Sequence, residues 1–179
     1  MGIAVNAVLG AAGIAATTIG IDQASKAFVR AGHHPGVVHD HIGRSTDQLP
    51  IVHDFAGTDE VSIVYIENDG MLGGGVKEGS KLASALALPL IPLVGGAVLY
   101  SGASRGAGSA MRAASIIGAG LLTGGALSNG VEKQVRGKAT DMLFVSRTGT
   151  VWNAADVALG AGMLVSMTVI GARVVRGLR

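Results

Sequence analysis

Four apolar runs without a charged residue alternate with polar stretches along the chain. They cover Ile3–Ile21, Leu82–Tyr100, Ala113–Val131 and Val157–Ala172. A helix of about 19 residues measures about 28 Å, close to the hydrocarbon thickness of a bilayer. The pattern predicts an all-α membrane protein with four transmembrane helices, at about residues 3–22, 82–100, 113–131 and 154–172. The fourth run is the shortest, so its helix is extended back to include Asp156 in the first turn.

The longest polar stretch, residues 23–81, carries signals of its own. Val61, Ile63 and Tyr65 belong to a run rich in β-branched residues that leads into Asn-Asp-Gly and Gly-Gly-Gly. Such a run bounded by turn residues predicts a strand, and hence a small extracytoplasmic β-element between helices 1 and 2. Residues 33–48, rich in His, Gly and Asp, are predicted to be an exposed insertion in the same loop.

Composition and charge agree with a membrane protein and orient it. Charged residues make up 15% of the chain, against about 25% in soluble domains. The basic residues of the short connection 101–112 and of the tail 173–179 are not diluted by acidic ones, so the positive-inside tendency places both termini in the cytoplasm. The dispersed basic residues give no electrostatic footprint for a nucleic acid, and no nucleic-acid partner is expected. The absence of cysteine excludes disulfides and thiol nucleophiles.

Polar residues gather at the ends of the predicted spans, all at the outward membrane face in this topology. An ionisable group in a membrane costs at least about 2.5 kcal/mol on insertion scales, which makes such groups candidates for function. Two carboxylates at a water–membrane boundary suit hydrolysis, since one can activate water while the other protonates a carbonyl oxygen. The set comprises Asp22, Asn129, Glu132, Asn153 and Asp156 at span ends, and Asp141 in the loop between the last two spans.

Structural explanations compete with this functional interpretation. Asn153 could cap the fourth helix and Asp156 could interact with its dipole, while Asn129 and Glu132 could form a solvated helix end. Gly120 and Gly124 have the spacing that lets membrane helices pack closely without a ligand. A metal site among the five histidines of the outward loop is the weaker interpretation, because exposed loops accumulate histidine without binding metal. These histidines are His33, His34, His39, His41 and His53.

Read together, the motifs in this order resemble the signal peptidase II family, the lipoprotein signal peptidases. The resemblance covers nearly the whole chain. It is carried by Asp22-Gln-Ala-Ser-Lys26, Glu67-Asn68-Asp69-Gly70, Gly124-Gly125-Ala-Leu-Ser-Asn129, Val-Glu132-Lys133, Thr140-Asp141-Met-Leu-Phe144 and Trp152-Asn153-Ala-Ala-Asp156.

The resemblance implies an aspartic endopeptidase of the bacterial cytoplasmic membrane. Such an enzyme cleaves lipoprotein precursors just before the diacylglyceryl-modified cysteine, at the extracytoplasmic face, without a metal or other cofactor. Its implied partners are these precursors, membrane lipids and inhibitors of the globomycin type. By motif matching, Asp141 and Asp156 are the catalytic pair. The substrate-binding or supporting residues are Asp22, Lys26, Asn68, Gly70, Asn129, Glu132 and Asn153.

Departures from the family pattern leave an alternative open. Glu132 and Lys133 stand where the family usually has Asp-Arg, and a lysine cannot reproduce the bidentate guanidinium fork. The aromatic residue usual after Asn68 and Gly70 is also missing. The alternative is a non-catalytic or re-purposed paralogue that binds a lipid or peptide in the same cleft. A proton-relaying transporter is disfavoured, because all the carboxylates lie at one face rather than at several depths.

Overall fold

The computed structural model describes residues 2–32, 35–39, 45–48, 57, 60–68, 89–103 and 107–177. It is mostly helical. The helices are α1 (Gly2–Ala31), α2 (Leu90–Ala103), α3 (Ser109–Arg136) and α4 (Ala154–Gly177). The strands are β1 (Pro35–His39), β2 (Ser45–Gln48), β3 (Val61–Asn68), β4 (Ala139–Val145) and β5 (Thr150–Trp152).

Three of the four predicted spans are confirmed as helices long and apolar enough to cross a membrane. They are Ala4–Ala31, Ser109–Arg136 and Ala154–Gly177. Helix α2 has 14 residues, about 21 Å at the α-helical rise, which is shorter than the predicted span 82–100. The first part of that span, residues 82–88, lies outside the described residues.

Helix α1 continues nine residues past its predicted end at Asp22. The prediction placed the end at the first charge, on the premise that a charge leaves the membrane. In the structure the charged residues continue the buried stripe of the helix, and Lys26 pairs with Asp22 one turn earlier. The stripe follows i, i+3 and i+4 spacing; its residues are Ala11, Ala15, Thr18, Asp22, Lys26 and Val29.

The described chain divides into two compact units. The helical unit comprises Met1–Gly20, Ala85–Gly130 and Ala155–Arg179, and the sheet unit comprises Ile21–Ser84 and Val131–Ala154.

Glycine allows close helix packing within the helical unit. A Cβ placed on Gly124 would lie 2.7 Å from Thr18 Cβ and 2.8 Å from the Ala15 carbonyl oxygen, both on α1. A Cβ on Gly120 would similarly lie 2.6 Å from Ile14 Cβ. The close packing predicted from the Gly120–Gly124 spacing is therefore confirmed.

The sheet unit contains the predicted strand, together with two further strands of the same sheet that the sequence pattern did not predict. The run predicted from Val61, Ile63 and Tyr65 forms β3, and the sheet order is β3-β4-β5. Strand β4 is antiparallel to β3, and β5 is antiparallel to β4. Both missed strands lie in the connection between α3 and α4, where Gly149 with φ 64° supplies the left-handed turn residue between them.

Within the insertion 33–48, strands β1 and β2 pair antiparallel. The remaining insertion residues lie outside the described part of the chain.

Candidate active site

The candidate residues fall into two groups, each inside one unit. Asn129 and Asp156 belong to the helical unit. The larger group belongs to the sheet unit and comprises Asp22, Lys26, Asn68, Glu132, Asp141 and Asn153. Gly70, the remaining candidate, lies outside the described residues.

Asp141 is a buried carboxylate held by two side-chain amides. It lies on β4, where its side chain accepts a hydrogen bond at Oδ1 from Asn153 Nδ2, at 2.6 Å, and one at Oδ2 from Asn68 Nδ2, at 2.8 Å. Asp141 pairs with Ile66 across the β3–β4 ladder, and Asn68 is two residues further along β3 on the same face. The sheet thus brings Asn68 to Asp141, and a carboxylate oriented in this way can accept a proton from water.

Asn153 links Asp141 to the strand backbone. Its Nδ2 also donates to the carbonyl oxygen of Thr140, at 3.3 Å, and the residue is buried just before α4 begins. The sequence left open whether Asn153 only caps this helix. In the structure its amide donates to Asp141, so the side chain has a contact beyond its position at the helix start.

Asp156 has an amide partner in the helical unit. It lies in the first turn of α4, and its Oδ1 accepts a hydrogen bond from Asn129 Nδ2 at 2.8 Å. Asn129 lies on α3. The two residues that could have been a helix-dipole carboxylate and a solvated helix end are therefore hydrogen-bonded to each other.

A buried ionic cluster forms the third part of the candidate set. Lys26 Nζ lies 2.7 Å from Asp22 Oδ2 and 2.8 Å from Glu132 Oε2, and these side chains are 0–1% exposed. Because a buried charge is costly without a partner, the lysine between two carboxylates offsets part of the cost of burying these three groups. Asp22, Lys26 and Glu132 therefore form one buried ion-paired cluster.

Sequence reasoning missed two arginines that join this cluster. Arg30 Nη1 and Arg136 Nη1 lie 3.0 and 2.9 Å from Glu132 Oε1, and both donate to Thr140 Oγ1. Thr140 Oγ1 in turn donates to Glu132 Oε1 at 2.9 Å. The available signal was helical spacing, since Arg30 is four residues after Lys26 and Arg136 is four after Glu132.

Glu67 forms a second, more exposed ionic group on β3. Its carboxylate accepts hydrogen bonds from Arg136, Lys138 and Tyr65. Burial alone would raise the pKa of Glu67, but the hydrogen bonds of Lys138 and Tyr65 and the charges of Lys138 and Arg136 outweigh it and hold that pKa below its ordinary value. Burial, and then the hydrogen bond to Glu67, raise the pKa of Tyr65. Glu67 is thus an anion at neutral pH.

Among the described residues there is no group of three His, Asp or Glu side chains placed to hold a metal ion. Four of the five histidines of the weaker metal interpretation, His33, His34, His41 and His53, lie outside those residues.

Known proteins resemble this chain in sequence pattern and in fold. Two solved structures of a bacterial membrane enzyme, obtained by the in meso method at 2.3 and 1.9 Å resolution, superpose with TM-scores of 0.57 and 0.59. Each is 17% identical to this chain and covers 92% of it, with 87% and 92% of its own length matched. None of the curated proteins matches the chain significantly.

A family model provides the assignment. The model described as signal peptidase (SPase) II matches residues 14–171 of the 179 in the chain. Members of that family are aspartic-type signal peptidases that act on lipoprotein precursors in membranes. Because the match covers most of the chain, the chain belongs to the signal peptidase II family.

Proposed function

We propose that this protein is a membrane aspartic endopeptidase that removes signal peptides from diacylglyceryl-modified lipoprotein precursors, with Asp141 and Asp156 as its catalytic pair. The observation that carries the proposal is that each aspartate has a side-chain amide on a carboxylate oxygen, Asn68 and Asn153 for Asp141 and Asn129 for Asp156. An amide that donates to one carboxylate oxygen helps to fix the orientation of the carboxylate.

The proposed reaction is acid–base hydrolysis of one peptide bond. One aspartate, ionised, accepts a proton from water as the water oxygen attacks the scissile carbonyl carbon. The other aspartate, protonated, donates its proton to the carbonyl oxygen, so a neutral tetrahedral intermediate forms. Collapse of the intermediate breaks the C–N bond, and the leaving nitrogen receives a proton from the aspartate that took one from water. The other aspartate, now ionised, takes a proton back from one hydroxyl of the intermediate, which becomes the carboxylic acid product, and the pair returns to its starting protonation state.

The remaining candidates have supporting roles in this proposal. Asn68, Asn129 and Asn153 orient the two aspartates, and the cluster of Asp22, Lys26 and Glu132 braces the sheet that carries Asp141. Gly70 is included in the proposed site because of its position in the family motif. The topology proposed from basic-residue density places both termini in the cytoplasm and the aspartates at the extracytoplasmic face, where lipoprotein precursors arrive.

The test is cleavage of a diacylglyceryl-modified precursor by the purified protein in detergent. Asp141→Asn and Asp156→Asn should each lower the rate at least about 100-fold, because an amide can neither accept nor donate the required proton. The double variant should be scarcely worse than either single one, since the pair acts as a unit. A globomycin-type inhibitor should block the parent protein.

Glu60→Gln is the matched control, since it makes the same carboxylate-to-amide change on the exposed turn before β3. Its rate should equal that of the parent. Near-parental cleavage by either Asn variant would remove that residue from the catalytic pair. Binding of the precursor without any cleavage by the parent would favour the non-catalytic paralogue.

A further inference from the structure

Arg136, at the end of α3, uses two nitrogens of its guanidinium group to contact two paired strands, and this pair of contacts is called the Arg136 fork. Its Nη1 donates to Thr140 Oγ1 on β4 at 2.8 Å, and its Nη2 donates to Glu67 Oε1 on β3 at 3.1 Å. Glu67 and Thr140 are direct partners in the β3–β4 ladder. The guanidinium group therefore bridges a cross-strand pair, which a planar group with several donors in fixed geometry suits.

The bridged pair is adjacent in sequence to two site residues. Asn68 follows Glu67, and Asp141 follows Thr140. Because successive side chains of a strand point to opposite faces, the fork holds one face of the ladder while Asn68 and Asp141 meet on the other. The hydrogen bond from Asn68 to Asp141 thus depends on the register that the Glu67–Thr140 pair defines.

The pairing of β3 and β4 contains a local irregularity that weakens control of the register. The β3–β4 pairing shifts between Ile63 and Ile66, and a bulge of this kind disrupts the ladder locally. A slip of one residue turns every side chain of a strand to the opposite face, which would separate Asn68 from Asp141. Arg136 binds on the Asp141 side of the irregularity, where the register matters for the site.

The Arg136 fork is itself anchored. Its Nη1 lies 2.9 Å from Glu132 Oε1, one helical turn earlier on α3, and Glu132 is held by Lys26 within the buried cluster. We propose that Arg136 is a positioning residue that fixes the β3–β4 register, and through it the orientation of the Asp141 carboxylate. The effect of Arg136 on the strand register is independent of the proposed function, whereas its effect on catalysis rests on that function.

The test compares Arg136→Lys with Arg30→Lys and Arg147→Lys in the full-length protein. A lysine keeps the charge but cannot span Glu67 and Thr140 together. Arg30→Lys alters the other guanidinium on Glu132 and Thr140 and leaves the Arg136 fork in place. Arg147→Lys changes an arginine of the exposed turn between β4 and β5.

The first readout is independent of activity. The carboxyl ¹³C resonance of Asp141, assigned by its loss in Asp141→Asn, should shift in Arg136→Lys, shift less in Arg30→Lys and stay unchanged in Arg147→Lys. An unchanged resonance in Arg136→Lys, or an equal shift in Arg30→Lys, would overturn the inference. Fluorescence of Trp152, the single tryptophan of the chain, verifies that each variant is folded.

The second readout is the cleavage assay. Arg136→Lys should lower kcat roughly 10- to 100-fold with KM changed less than about 3-fold, because the catalytic group is misoriented while the substrate still binds. A parent that does not cleave the precursor would contradict the proposed function and leave the resonance experiment to decide on Arg136. Parental kcat in Arg136→Lys, with Asp141→Asn inactive, would overturn the inference alone.

Discussion

The helical unit and the sheet unit are stabilised in different ways. In the helical unit the buried apolar core is made of small and medium side chains such as Ala11, Val98 and Ala119, with glycines where helices meet. In the sheet unit the buried groups include Asp22, Lys26, Glu132 and Asp141. One unit depends on close van der Waals packing, which drives helix association in lipid, and the other on the pairing of buried charges.

The comparison teaches where each unit is sensitive to mutation. Close packing at a glycine is destabilised when a mutation adds atoms. A buried charge pair is destabilised when a mutation removes one partner. The sheet unit also contains Asp141 with its amide partners Asn68 and Asn153, so the buried charges lie in the same unit as the larger group of candidate residues. Stability and proposed chemistry therefore depend on the same residues there.

The largest expected effect is the loss of a buried cation from the sheet unit. Lys26→Met leaves the carboxylates of Asp22 and Glu132 buried without the lysine between them, which should cost about 3–5 kcal/mol of unfolding free energy. Thermal unfolding in detergent, followed by Trp152 fluorescence, measures the loss. Adding Asp22→Asn to Lys26→Met should recover part of it, because the amide carries no charge.

Lys138→Met is the matched control for this prediction, since it removes a lysine whose ion pair with Glu67 is 41% exposed on the lysine side. Exposed pairs contribute less than about 1 kcal/mol. If Lys26→Met lowered the free energy of unfolding as little as Lys138→Met, the stability of the sheet unit would not depend on its buried charges.

The second effect concerns added atoms in the helical unit. Gly124→Ala places a methyl group 2.8 Å from the Ala15 carbonyl oxygen and 2.9 Å from Ala15 Cα, so helix backbone must move. We expect a loss of about 1–3 kcal/mol, the usual cost of overpacking, measured as a lower melting temperature by circular dichroism.

Gly160→Ala makes the same change on α4, where no neighbouring atom of the described residues lies within 4 Å of the new methyl group. This variant should be neutral or up to about 1 kcal/mol more stable, since alanine favours the helix. Equal melting temperatures for Gly124→Ala and Gly160→Ala would show that close glycine packing does not limit the stability of the helical unit.

The sequence predicted apolar elements better than ionic ones, for a physical reason. Apolar runs identified α1, α3 and α4, and β-branched residues identified β3. Charges were treated as signs of a helix end, so the continuation of α1 to Ala31 and of α3 to Arg136 was missed. A charge stays inside a helix when its partner is nearby in space, as Glu132 is for Lys26, and single-sequence patterns do not reveal such partners.

Some residues of the candidate site could likewise be proposed from the sequence, whereas others could not. Asp141, Asn68 and Asn153 were proposed as site residues from the motifs that resemble the signal peptidase II family. The roles of Arg136 and Thr140 depend on the register of β4, a short strand within a connection that was treated as a loop. Helical spacing could have paired Arg136 with Glu132, but the contacts of Arg136 with Glu67 and Thr140 follow from strand pairing, which needs the fold.

The smallest expected effect is the pH dependence of the Glu67 ion pairs, the exposed counterpart of the buried cluster. The pKa of Glu67 is held below its ordinary value of 4.5, so the native state binds this proton less readily than the unfolded chain. The stabilisation is therefore present above about pH 4.5 and is lost as the pH falls through the native pKa. Because both cationic partners are partly exposed, its size should stay below about 1 kcal/mol.

Glu67→Gln should melt slightly below the parent at pH 7 by Trp152 fluorescence, and this difference should disappear in acid, whereas Glu60→Gln should show no such pH dependence. A difference that persisted unchanged to about pH 3 would mean that Glu67 stabilises the sheet by packing rather than by charge.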